Sequence, residues 1–170
     1  MAIDDLVVTS TPVLSDGTAV EDLIDIGYRE VDLRILSDPE VYRIELDRLF
    51  AKVWTVVAHE DEIPNAGDYV LRYVGQDEVI VARDGDGSIS AALNVCAHRA
   101  GRVCRYEAGN ATRFTCAYHG WVFRPDGAFL GSPIAREKMH GELRSKAELA
   151  LAIARVDTYC GMIFATFDQE

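Results

Sequence analysis

No apolar run in this 170-residue chain approaches the roughly 18 residues of a membrane-spanning helix, so none is expected. Bases are scarce: 17 Lys and Arg stand against 28 Asp and Glu, a net charge of −11. That balance argues against nucleic acid or an anionic membrane as a partner. The N-terminus, Met1-Ala2-Ile3-Asp4-Asp5, is acidic where a secretory signal would be basic and then apolar, and a cytoplasmic protein is expected. Internal repeats and low-complexity segments are both lacking, which excludes a solenoid or a tethering tract. Cysteines number four, and in a reducing cytoplasm that points to metal binding before disulfides, provided histidines sit at ligand spacing. What remains is ordinary for a soluble globular domain, with 49% hydrophobic and 26% charged residues.

Charge is unevenly spread. Residues 96–125 hold five arginines (Arg99, Arg102, Arg105, Arg113, Arg124) against Glu107 alone, whereas residues 1–50 hold 12 acids against 4 bases. Such a stretch is either a solvated face or a positive patch that docks an acidic partner. Residues 1–36 have weak periodicity and read as a loosely structured arm. Ser37-Asp38-Pro39-Glu40 carries helix-start chemistry, and Leu46, Leu49, Phe50 and Val53 recur at helical spacing. A helical segment over 37–53 follows, with the helix itself from about 39 to 51.

From Trp54 onward the pattern turns to short strands. Trp54–Val57, Tyr69–Val74, Val79–Ala82 and Ser88–Asn94 are separated by Pro64-Asn65-Ala66-Gly67, Gly75-Gln76-Asp77 and Asp84-Gly85-Asp86-Gly87. Leu149–Tyr159 and Met162–Phe167 read as a final hairpin around Cys160-Gly161. The expected fold is mainly β, in small antiparallel sheets, with an N-terminal helix.

Chemistry concentrates in Cys96-Ala97-His98-Arg99 and Cys116-Ala117-Tyr118-His119-Gly120-Trp121, with seventeen residues between His98 and Cys116. Each segment follows an expected strand and so falls at a loop tip. Two sulfurs and two nitrogens suit Zn²⁺ in a tetrahedral site, or a [2Fe–2S] cluster with two cysteines on one iron and two histidines on the other. Zinc fingers pair Cys with Cys before a helix bearing paired His. Here each loop supplies one of each, and no helix follows the first pair, which favours a binuclear group. His59 and His140 lie outside both segments and read as a structural and an exposed histidine. Cys104 and Cys160 read as buried or semi-buried free thiols.

Cys-x-His followed by Cys-x-x-His-Gly-Trp resembles the Rieske pattern of ring-hydroxylating oxygenase large subunits. Asn94-Val95-Cys96, Ala108-Gly109-Asn110-Ala111, Phe114-Thr115-Cys116 and Gly161-Met162-Ile163-Phe164-Ala165-Thr166 are similar to the aromatic dioxygenase branch, as is Gly67-Asp68-Tyr69-Val70. One departure is visible: where that family has His-Arg-Gly, this chain has His98-Arg99-Ala100-Gly101. The resemblance implies a Rieske fold over 54–170, with two cluster-binding hairpin loops at 96–101 and 116–121. It implies a [2Fe–2S] cluster on Cys96, His98, Cys116 and His119, with Arg99, Tyr118 and Trp121 shielding and orienting the loops. Cytochrome bc-type relatives add a disulfide between the loops; Tyr118 stands where they have cysteine.

The same resemblance implies a C-terminal catalytic domain with mononuclear Fe(II), which this chain lacks. Setting aside His98 and His119 leaves only His59 and His140, far apart in the sequence and not in the Asp…His…His arrangement of that family's facial triad. The expected function is electron relay from a ferredoxin or reductase to that iron, in the same or a neighbouring alpha subunit, with a beta subunit as a further candidate partner. The chain alone is expected to transfer electrons only. An independent Rieske ferredoxin is the alternative, although such carriers lack the arm and helix of residues 1–53. A structural zinc-binding module is the alternative of another class.

Overall fold

Asp38 starts the helix of the first of two units into which the chain divides after Phe50. The structure, a computed structural model, describes residues 11–133 and 145–169. The Asp38 side chain accepts from the Glu40 N–H and Pro39 fills the first turn, so α2 begins at Pro39, after a one-turn helix α1 (Arg34–Ser37). α2 runs Pro39–Glu45, and the periodic run then continues as a wider π-type turn over Leu46–Phe50. Residues 11–36 carry a 3-10 turn (Val20–Leu23) and a two-stranded ribbon of β1 (Ile24–Asp25) and β2 (Glu30–Val31). Leu14, Leu23 and Val41 form a small core there.

The second unit is built of β3 (Thr55–His59), β4 (Asp68–Val74), β5 (Asp77–Arg83), β6 (Ile89–Leu93), β7 (Ala108–Asn110), β8 (Phe114–Thr115), β9 (Val122–Phe123), β10 (Phe129–Gly131), β11 (Ile153–Tyr159) and β12 (Met162–Thr166). Among the described residues these strands make an antiparallel seven-stranded sheet, order β3-β12-β11-β6-β5-β4-β7, and a three-stranded one, order β10-β9-β8. The fold is mainly β, as expected. No helix among the described residues is long and apolar enough to cross a membrane.

Side chains alternate across a strand, and here that period of two splits the interior into two cores. Tyr69, Leu71, Ile80, Ala82 and Ala92 face one way, into a core that also contains Cys96, Cys116, Trp121, Phe114, Phe123 and Phe129. Val70, Val74, Val79, Val81 and Ala91 face the other way and meet Val57, Ala58, Ile163 and Ala165 of β3 and β12. The large sheet therefore curls so that its two ends pack on each other. β5 is buried on both faces, and for that reason Val79-Ile80-Val81-Ala82 reads as an unbroken apolar run. The first of these cores lies beneath the two segments that carry the chemistry.

The last hairpin differs from expectation at its start. Leu149 and Leu151 are buried in the first core, yet strand pairing begins only at Ile153, where Ile153 meets Ala92. At its tip Cys160 and Gly161 both have positive φ, 50° and 80°, the two-residue turn that matches strand twist. That placement exposes Cys160, against the expectation of a buried or semi-buried thiol, whereas Cys104 is buried.

Candidate metal centre

The segments 96–101 and 116–121 are conformational duplicates. Each spans six residues between a paired couple of chain positions, Val95 with Arg102 and Thr115 with Val122. In the first, Cys96 N–H donates to Gly101 O and Ala100 N–H to Cys96 O, at 2.8 and 2.9 Å. In the second, Cys116 N–H donates to Trp121 O and Gly120 N–H to Cys116 O, at the same two distances. The fifth residue of each loop is left-handed: Ala100 at φ 52° and Gly120 at φ 70°. The loops meet at Gly101, where a Cβ would lie 3.3 Å from Cys116 Sγ and 3.4 Å from Tyr118 Cβ.

These duplicates set the thiols inward and the imidazoles outward. Cys96 and Cys116 are 3% and 2% exposed, in the core over β4 and β5, while His98 and His119 are half-buried. The two imidazole rings lie 4.6 Å apart, edge to face. Trp121, from the second loop, stacks parallel on His98 of the first, with centroids 4.8 Å apart and planes 8° apart. Tyr118 is 61% exposed and its ring lies 4.0 Å from that of His119. Burial pushes the Cys96 thiol up, while the backbone N–H groups of His98 and Arg99 act against it and the neighbouring Cys116 thiol adds to it.

The donor set is thus two buried thiols and two half-buried imidazoles, each kind paired with its like. Among the described residues no three His, Cys, Asp or Glu side chains group around a single ion. A pair of sulfurs and a pair of nitrogens fits a group with two metal atoms, and inward-turned N–H donors suit its negative sulfurs.

Asn94 anchors the base of the first loop, and its type alone did not mark it out in the sequence. It is 1% exposed; its Oδ1 accepts from Cys104 N–H at 2.7 Å and Val103 N–H at 3.1 Å, and its Nδ2 donates to Cys104 O at 2.8 Å and to Glu78. Glu78 in turn receives both the Nε and the Nη2 of Arg102. Burial pushes the Glu78 carboxyl up, but the donors Arg102 and Asn94 and the Arg102 charge outweigh it and hold the group below its usual range. Arg102 is therefore a strut of the loop, and Arg124 pairs with Asp126. All five arginines of residues 96–125 are exposed, as either a solvated face or a docking patch requires, but Arg102 and Arg124 share their charge with carboxylates, so the stretch is less positive than its composition. His59 accepts from Asp61 N–H and caps the turn Glu60–Glu62, away from both loops in the chain. His140 lies outside the described residues.

Ala100 has a measurable consequence. It occupies the position that Gly120 fills in the duplicate loop, and a Cβ in left-handed backbone costs roughly 1–2 kcal/mol. Ala100→Gly is expected to stabilise the fold by about 1 kcal/mol after the extra chain entropy of glycine. That is a rise in Tm of roughly 3 °C by thermal melting. A lower Tm would show that Ala100 is not held in that conformation.

Comparison with known proteins agrees with this geometry. Residues 53–156 match the family model of the Rieske [2Fe-2S] domain. The chain is 42% identical over 162 residues to the N,N-dimethyl phenylurea N-demethylase subunit alpha of Sphingobium sp. (strain YBL2), covering 92% of this chain and 35% of that one. It is 42% identical over 151 residues to a benzene 1,2-dioxygenase subunit alpha of Pseudomonas putida, covering 89% and 33%. Among solved structures, naphthalene 1,2-dioxygenase with indole in its active site superposes with a TM-score of 0.76 at 44% identity, covering 80% of this chain and 30% of that one. The chain spans about a third of the length of the curated relatives it matches. With alpha subunits of ring-hydroxylating dioxygenases among its relatives, the chain belongs to the Rieske [2Fe–2S] domain family.

Proposed function

We propose that this chain is the electron-transfer part of an aromatic-ring-hydroxylating dioxygenase alpha subunit, with Cys96 and Cys116 on one iron of its [2Fe–2S] cluster and His98 and His119 on the other. The observation that carries this reading is the duplicated six-residue loop, which sets a buried thiol pair beneath a half-buried imidazole pair. When bound, the cluster supplies a one-electron couple, with potentials in this class of about −150 to +300 mV. The chain's residues do the rest. The cysteines sit in an apolar core that keeps water from the sulfurs. The imidazole edges face outward and serve as the electron port, Trp121 fixes the plane of His98, and Tyr118 flanks His119. Arg99 stands beside the port in the first loop and favours an acidic donor.

By this reading the donor is a ferredoxin or reductase in the cytoplasm. The acceptor is a mononuclear iron held by a catalytic domain, in the same or a neighbouring alpha subunit, with a beta subunit as a further candidate partner. The match of residues 53–156 to the Rieske [2Fe-2S] domain family speaks against a single structural zinc.

Metal analysis and spectroscopy of the purified chain test the reading. It is expected to be coloured, to hold two irons and two acid-labile sulfides, and when reduced to show the low average g-value of mixed Cys/His ligation. With His59 and His140 far apart in the sequence and in no Asp…His…His arrangement for a facial triad, no third iron should survive desalting and no aromatic compound should be hydroxylated. A colourless protein with one equivalent of zinc would sink the proposal.

A further inference from the structure

Among the described residues, one buried side-chain polar atom has no hydrogen-bond partner: Nε1 of Trp121. The side chain is 2% exposed, packed between His98 and the rings of Phe129 and Phe123 at 4.8, 4.6 and 6.5 Å. Burying an amide-like N–H without an acceptor costs roughly 1–3 kcal/mol. A phenylalanine would stack on His98 and fill most of the same apolar site without that cost, so packing alone does not account for an indole here. The aromatic rings around Trp121 offer no strong acceptor. The same core contains side-chain acceptors at Cys96, Cys104, Cys116 and Tyr69, none of which Nε1 reaches, and of these Cys96 and Cys116 belong to the two loops that also carry His98 and Trp121.

We propose that the Trp121 indole N–H is a donor reserved for sulfur of the bound cluster, and that it holds the reduction potential up. This rests on the cluster assignment proposed above. Trp121 is then a positioning residue with two parts: its ring sets the plane of His98, and its N–H sets the energy of the added electron. Reduction adds a negative charge, which resides partly on sulfur, and a donor aimed at sulfur stabilises the reduced state more than the oxidised one. Removing the N–H lowers the potential; removing only ring shape leaves it.

The experiment separates the two parts. Trp121 is replaced by 3-benzothienylalanine, whose ring is nearly isosteric but carries sulfur in place of N–H. The background is Trp54→Phe, so that Trp121 is the one tryptophan position exchanged; Trp54 is half-exposed, with Arg155 over its ring at 5.2 Å. The readout is the midpoint potential of the loaded cluster, with EPR confirming unchanged Cys/His ligation. The analogue is expected to lower the equilibrium constant for reduction by a fixed reference couple about tenfold, which is about 59 mV for one electron. Trp121→Phe is expected to lower it as well. Equal potentials in parent and analogue, both with full cluster, would overturn the proposal, because a purely structural tryptophan predicts that result. If Trp121→Phe fails to load, the analogue alone decides. A chain that carries no cluster in the Trp54→Phe background overturns the underlying assignment instead, and the absorption spectrum shows this before any potential is measured.

Discussion

A chain carrying His98→Ala or His119→Ala is expected to purify without its visible chromophore, with iron and sulfide reduced more than about tenfold, beyond the loss typical of outer-shell changes. The fold should survive. His98 and His119 are half-buried at the loop tips, and the backbone hydrogen bonds that close both loops run through Cys96, Ala100, Gly101, Cys116, Gly120 and Trp121. What the apo protein loses with the His98 ring is its stacking on Trp121, worth roughly 0.5–1.5 kcal/mol. Thermal melting of the metal-free chain should therefore change by only a few degrees while metal content collapses. His59→Ala is the control. That histidine caps the turn at Glu60–Glu62, and a Cβ on Gly161 would lie 2.5 Å from its Nε2, so its contacts are those of a hairpin support. It should lose some stability and no iron. Full iron content in His98→Ala or His119→Ala would remove that residue from the ligand set.

The two Cys/His segments were legible as a pair of loop tips because their chemistry is local. Cysteine and histidine at fixed short spacing after a strand, with Gly120 marking the second turn, define a loop tip without knowledge of the rest of the chain, whereas nothing in Ala100 announced its left-handed backbone. The strands β4, β5 and β6 were legible for a similar reason: the turns at Gly75-Gln76 and Asp84-Gly85-Asp86-Gly87 punctuate them, and their side chains alternate between two cores. Other features depend on distant partners. Arg102 reads as a free surface charge until Glu78, 24 residues earlier, is seen beside it. Leu149 and Leu151 read as strand because they are aliphatic, but they fill a core and pair with nothing until Ile153. The short elements of residues 11–36 leave no periodic trace. They hang on contacts such as Ser15 with Glu40 and Arg34 with Asp16, and a window of neighbouring residues does not contain both partners.

Asn94→Ala is expected to be the most damaging change outside the four proposed ligands. The Asn94 side chain is buried and satisfies Cys104 N–H and Cys104 O, and it braces Glu78. Leaving two buried backbone groups without partners costs roughly 1–3 kcal/mol each, so about 3 kcal/mol in all is expected, or roughly a 10 °C fall in Tm. The damage falls at the base of the loop 96–101, so retention of the proposed cluster should fall with it. Glu78→Gln is expected to be milder, since it keeps an acceptor for Asn94 and loses only the charge opposite a half-exposed Arg102. It carries its own signature in pH. The folded state holds the Glu78 carboxyl below its ordinary value of 4.5, so its contribution is present above that pH and is lost as pH falls through the lower folded value. The parent should therefore lose more melting temperature on acidification below about pH 4.5 than Glu78→Gln does. Melting curves across that range, with iron content measured alongside, check both statements. If Asn94→Ala melts with the parent and keeps its iron, the loop is held by its own backbone turns and the Asn94–Glu78–Arg102 brace is incidental.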